Sequence, residues 1–230
     1  MKKHYSWLWF DADGTLFDYD RAEATALRHA FSSLRLPFED SYLELYRRIN
    51  QDLWQALERQ EITQAVLRPR RFELLLESIQ LSASIDRMSS IYLERLTTCA
   101  DLIEGAYEVV QTLHRTSRIA IVTNGLHSVQ RGRLRRSTLY PFIDEVIISE
   151  EIGVAKPHPA FFDAASARTG QPPKSEVLLI GDSLSSDIRG GADYGIDTCW
   201  YNPAAEPRPD GLPITYEIRR LRELLDVLEK

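Results

Sequence analysis

The first apolar run is unbroken: Trp7-Leu8-Trp9-Phe10 leads directly into Asp11-Ala12-Asp13-Gly14-Thr15-Leu16. An apolar stretch without alternation reads as a strand buried on both faces. From Thr15 to Glu104 the texture changes, and no glycine occurs in that window. Leu43, Tyr46, Ile49, Leu53 and Leu57 recur at helical spacing, as do Phe72, Leu75, Leu76 and Ile79. Pro37 and Pro69 are expected to break helices there. The pattern predicts four or five helices from about Asp20 to about Thr98 and no strand. Gly14 and Gly105 flank this insert, where hinges can sit.

From Gly105 onward, apolar runs alternate with helical segments. Strands are expected at Arg118–Thr123, Glu145–Ser149, Glu176–Gly181 and Asp197–Trp200. Helices are expected at Ala106–Arg115, Leu126–Ser137, Ala160–Thr169, Ser185–Tyr194 and, closing the chain, Glu217–Glu229. A loop joins Ser149 to Lys156-Pro157, and Pro203–Pro213 is a proline-rich loop. Strands alternating with helices imply βαβ units and a parallel sheet, interrupted after its first strand by the helical insert.

With 230 residues, the chain is long enough for one large domain carrying an insertion. The apolar run behind Met1-Lys2-Lys3-His4 is too short for a signal peptide, and no stretch reaches the ~20 residues of a membrane span. Cys99 and Cys199 are isolated, which fits a reducing cytoplasm. A net charge of −6 argues against a nucleic-acid polymer as partner, so an anionic substrate must be held by local cations.

The polar residues fall where strands end. Asp11 and Asp13, Thr123, Lys156 and Asp182 each follow an expected strand, and ligands of open parallel sheets bind at that edge. Two carboxylates as close as Asp11 and Asp13 are costly unless a cation lies between them or one is protonated. Carboxylates, a hydroxyl and an ammonium in one crevice suit phosphoryl transfer with magnesium. Blander readings stand beside these: Asp-Gly as a turn, Thr123 as a cap for the next helix, Lys156 as a solvated loop residue, Asp187 as a helix-dipole partner.

Asp11-x-Asp13-x-Thr15, Thr123, Lys156-Pro157 and Gly181-Asp182-x-x-x-x-Asp187 together resemble the four-motif signature of the haloacid dehalogenase superfamily. Ile148–Pro157, Asp197–Pro203 and Phe10–Phe17 are similar to a bacterial branch of pyrimidine 5′-nucleotidases. Gly14 departs from that branch, which more often has an acidic residue there. The resemblance implies an α/β fold: a Rossmann-like parallel core with helices on both faces (1–16 and 99–230) and an inserted all-helical cap (17–98).

It also implies a magnesium-dependent phosphatase working through an aspartyl phosphate, acting on a nucleoside monophosphate. Asp11 would be the nucleophile and Asp13 the acid and base. Asp11, Asp182 and the Asp13 backbone carbonyl would hold magnesium. Thr123, Asn124 and Lys156 would bind phosphate, with Lys156 balancing charge. Asp187 would support the metal waters or Lys156, with Ser183 and Ser186 assisting. A sugar-phosphate phosphatase or phosphomutase is the alternative. Dehalogenation needs neither an acid nor a metal, and a non-catalytic module would not need the full set.

Arg131, Arg133, Arg135 and Arg136 read as a solvated helix face rather than an anion patch, and His158 as a surface residue. Trp54, Arg70, Arg71 and Phe72 serve either core packing and surface charge or contact with a substrate base. The partner is a small phosphomonoester, with no membrane, and the state is monomer or homodimer.

Overall fold

β1 (Trp7–Phe10) is buried at every position and lies inside a six-stranded sheet. The structure is a computed structural model describing residues 3–229; Met1, Lys2 and Lys230 of the expected core lie outside the described residues. With β2 (Arg118–Thr123), β3 (Glu145–Ile148), β4 (Val177–Gly181), β5 (Asp197–Tyr201) and β6 (Tyr216–Ile218), the order is β3-β2-β1-β4-β5-β6. Every pairing is parallel. Phe10 is in register with Ile121 on one side and Ile180 on the other, so Asp11 and Asp182 emerge at one edge. The chain moves outward from β1 through β2 to β3, then returns to β4 on the opposite side. That reversal opens a crevice at the carboxyl edge between β1 and β4.

Between β1 and β2 lie α1 (Tyr19–Ser33), α2 (Asp40–Glu58), α3 (Gln64–Ser78) and α4 (Ile85–Thr98). They share a core of their own, with Tyr46, Phe72 and Tyr92 packed ring against ring. Pro37 lies between α1 and α2 as expected, but Pro69 lies inside α3. The helix starts earlier than the proline suggests because Thr63 accepts a hydrogen bond from Val66 N–H and caps it. Pro69 removes one backbone donor in the second turn without ending the helix. The chain's two crossings between sheet and helices run side by side. Ile103 N donates to Leu16 O (2.9 Å), and Asp18 N donates to Asp101 O (3.0 Å).

The remaining helices are α5 (Ala106–Leu113), α6 (His127–Arg136), α7 (Ser149–Ile152), α8 (Pro159–Arg168), α9 (Gly190–Tyr194) and α10 (Glu223–Glu229). Period-2 alternation divides the sheet's side chains between two faces. Leu8, Phe10, Ile121 and Ile180 pack with α5 and α10, whereas Trp7, Trp9, Val122 and Leu179 pack with Phe161, Phe162 and Ala165 of α8. Leu126 and Val129, at the start of α6, join the core of the inserted helices.

Some expected elements differ. The helix expected at Ser185–Tyr194 is a π-helical turn over Leu184–Arg189 followed by α9. The expected closing helix at Glu217–Glu229 is shorter, because Tyr216–Ile218 adds an edge strand to β5. Glu223 accepts from Arg219 N–H (2.8 Å), which sets the later helix start. Ser149 begins α7 instead of ending β3, so a short helix separates β3 from Lys156.

Candidate active site

The loops leaving β1, β2 and β4 meet the Lys156 loop around a cavity of about 450 Å³. Asp11, Asp13, Thr123, Asn124, Lys156, Asp182 and Asp187 all line it, so every residue singled out at the strand ends is brought together. Its opposite wall comes from the inserted helices and includes Tyr19, Glu23, Arg47, Trp54 and Glu58.

Lys156 is only 1% exposed, and its ammonium donates to Asp11 Oδ1 (2.7 Å), Asp187 Oδ1 (2.6 Å) and Val122 O (2.7 Å). All of its donor capacity is engaged. Burial works against its charge, but the carboxylates of Asp11 and Asp187 outweigh burial and raise its pKa. Asp11 is pushed well above the usual carboxylate range, first by burial and then by Asp187 and Asp182, with Lys156 opposing. Burial and the charge of Asp187 push Asp182 up to about 7.

These shifts describe a concentration of negative charge short of cations. One oxygen from each of Asp11, Asp182 and Asp187 lies within 4.8 Å of the others. Hard carboxylate oxygens at that spacing fit a magnesium ion. Asp182 also accepts from Thr15 Oγ1 (3.1 Å), and its backbone carbonyl accepts from Trp200 Nε1 (3.1 Å). The backbone at Gly14 is packed tightly here: its φ is +83°, and a Cβ would lie 2.6 Å from Asp182 Oδ2. Glycine at this position, the departure noted in the sequence, therefore has a steric reason in this chain.

Thr123 Oγ1 accepts from Gly125 N–H (3.0 Å), closing the turn after β2. It does not cap α6, whose first residue, His127, donates its N–H to Glu150 (2.7 Å). The Asn124 amide clasps the Lys156 backbone, donating to its carbonyl (2.9 Å) and accepting from its N–H (2.8 Å). Asp187 accepts from Ser183 N–H (3.1 Å) as well as from Lys156. Ser183 and Ser186 line the same cavity.

Asp13 accepts from Arg133 and Gln130, both fully buried on α6. Asp11 and Asp13 thus each have a cation of their own, Lys156 and Arg133. The expected solvated arginine face is corrected accordingly. Arg133 stacks over Phe17, donates from Nε to Cys99 O (2.9 Å) and pairs with Asp13. Arg131 pairs with Glu151, while Arg135 and Arg136 are exposed. Helical spacing from Val129 places Arg133 on the buried face, which is the signal that could have found it.

Of Trp54, Arg70, Arg71 and Phe72, Trp54 lines the cavity. Arg71 and Phe72 are buried in the insert core, and Arg70 pairs with Glu73. His158 is exposed, its Nδ1 accepting from Ala160 N–H at the start of α8. Sequence reasoning missed Glu23, which accepts from Arg47 (3.1 Å) and Asn50 (3.0 Å), and Gln64, which donates to Asn124 O and Ser149 Oγ (3.1 Å each). No motif marks these positions.

A family model of haloacid dehalogenase-like hydrolases matches residues 6–195. The chain belongs to this family. The match takes in β1 and every loop that carries the site, and ends before β5. Among haloacid dehalogenase-like hydrolases, HAD-hydrolase YfnB of Bacillus subtilis is 38% identical, over 98% of this chain and 96% of its own. Pyrimidine 5′-nucleotidase YjjG of Escherichia coli is 33% identical, covering 98% of this chain and 99% of its own. Pyrimidine 5′-nucleotidase PynA of Streptococcus pneumoniae is also 33% identical, over 98% and 96% of the two chains. The crystal structure of YfnB bound to magnesium superimposes with a TM-score of 0.93, covering 99% of this chain and all of YfnB's at 37% identity. No helix among the described residues is long and apolar enough to cross a membrane.

Proposed function

We propose that this hydrolase is a magnesium-dependent phosphatase acting through an aspartyl phosphate on Asp11, with a pyrimidine nucleoside 5′-monophosphate as substrate. The observation that carries the reading is the meeting of Asp11, Asp182 and Asp187 with Lys156 and Thr123 in one cavity. Asp11 and Asp182, with the Asp13 backbone carbonyl, would hold the magnesium ion. Magnesium supplies positive charge that offsets repulsion between a carboxylate and a phosphate.

Asp11 attacks phosphorus, and the ester oxygen leaves with a proton from the Asp13 carboxyl, which must turn from Arg133 and Gln130 toward the substrate to deliver it. Asp13 then takes a proton from the water that hydrolyses the acyl phosphate, which restores Asp11 and releases phosphate. Lys156 holds Asp11 in place and balances part of the charge. Thr123 and the backbone at Asn124 face the phosphate oxygens, and Asp187 fixes Lys156.

The substrate assignment draws on the activity named for YjjG and PynA and on Trp54, whose indole can stack on a base. We place the cap at the inserted helices, 17–98, and the enzyme in the cytoplasm.

The test is a screen of dUMP, dTMP and UMP against purine nucleotides and sugar phosphates, with and without EDTA. The expected result is preferred hydrolysis of the pyrimidine nucleotides, silenced by EDTA and restored by magnesium. Preference for sugar phosphates overturns the nucleotide assignment, and indifference to chelation overturns the metal.

A further inference from the structure

We propose that this site admits a single anionic group, the phosphoryl, and that Asp20 and Glu58 on the cap wall select esters whose leaving group is neutral or cationic. The inference rests on the phosphatase reading above.

Two cavities open onto Asp13 and Asp182: the one described above and a second of about 700 Å³ on the Trp200 side. Both also reach Tyr19, Asp20 and Gln51. Among the described residues lining the two, Lys156 and Arg47 are the cations. Each is already paired with carboxylates. Lys156 is held by Asp11, Asp187 and Val122 O. The Arg47 guanidinium donates from Nε to Glu23 (3.1 Å) and from Nη2 to Asp20 O (3.1 Å), with the Asp20 carboxylate 3.5 Å away. Arg133 and Arg71 are buried outside the cavities, Arg133 against Asp13 and Arg71 between Phe72 and Tyr92.

Acids instead line the space beyond the phosphate end: Asp18, Asp20, Glu23, Glu58 and Glu206. Glu58 accepts from Ser185 Oγ (2.7 Å) and forms no ion pair among the described residues. A carboxylate or second phosphate on the leaving group would meet these acids and could reach Arg47 only in competition with Glu23 and Asp20. Sugar hydroxyls and ring N–H groups are donors, and carboxylates accept from them.

Two matched pairs test this: 2-hydroxyethyl phosphate against 2-phosphoglycolate, and UMP against uridine 3′,5′-bisphosphate. Each is assayed with magnesium in the parent enzyme, Glu58→Gln, Asp20→Asn and Glu94→Gln, a control on the exposed face of α4. The parent is expected to favour the neutral member of each pair by at least about tenfold in kcat/KM, as one unit charge in a partly solvated cleft implies. Glu58→Gln and Asp20→Asn should each reduce that ratio severalfold, and Glu94→Gln should leave it alone.

Equal use of both members by the parent overturns the inference, as does a ratio that moves equally in all three variants. Hydrolysis of 2-hydroxyethyl phosphate without UMP defeats the nucleotide assignment and leaves the charge rule standing. Failure to hydrolyse either pair defeats the phosphatase reading and this inference with it.

Discussion

Lys156 is the residue on which the site's charge balance turns. It is a buried ammonium between two buried carboxylates, and removing it leaves both without their cation. Lys156→Met is expected to cost about 3–5 kcal/mol of stability and to lower kcat roughly a hundredfold or more. Chemical denaturation and steady-state kinetics would measure both; a variant with parental stability would show that the pair is not structurally needed. Asp11, Thr123 and Asp182 were legible in the sequence because each ends or directly follows an unambiguous apolar run, and Lys156 because of the Lys156-Pro157 motif. Arg133 was not, because three nearby arginines of the same helix disguised it as surface charge. Its partner Asp13 is 120 residues away in sequence, and only the fold joins them.

At the scale of elements, the loop after β4 depends on β5 for its support. Trp200, in β5, donates its indole N–H to the Asp182 carbonyl. Trp200→Phe keeps the ring's bulk and removes the donor. The expected loss is about 1 kcal/mol, read as roughly a fivefold rise in the magnesium concentration for half-activation. An unchanged requirement would separate Trp200 from the metal loop. The role of Asp197–Pro203 was not legible from its sequence pattern, because a backbone contact leaves no motif. β6 escaped for a different reason: it is three residues long, at the sheet's edge, with Ile218 its only fully buried position. Pro69 misled because proline's cost depends on where the helix starts, and Thr63 starts it earlier than the apolar spacing suggests. The side-by-side crossings at Leu16–Asp18 and Asp101–Ile103 are where we propose that the inserted helices pivot against the sheet.

For the molecule as a whole, the site concentrates acid in a chain that is already negative. Asp182, at about 7, lies above the ~3.9 of an unfolded aspartate, and Asp11 is shifted the same way. A carboxyl whose folded pKa is raised contributes stability below the unfolded value and loses it as pH rises through the folded one. The metal-free protein should therefore lose Tm between pH 5 and 8. Magnesium displaces a proton at the lower pH, so its stabilisation should be larger at pH 8 than at pH 6. Thermal melts with EDTA or magnesium at the two pH values check this, and equal stabilisation at both would contradict the assignment of Asp182 to the metal.

The central claim is that Asp11 carries the phosphoryl group. A single-turnover reaction with UMP, quenched in acid and analysed by peptide mass spectrometry, tests it directly. The account predicts a phosphoryl adduct on the peptide containing Asp11, and neither adduct nor turnover in a folded Asp11→Asn variant. An adduct on another residue, or full hydrolysis by Asp11→Asn, would contradict it.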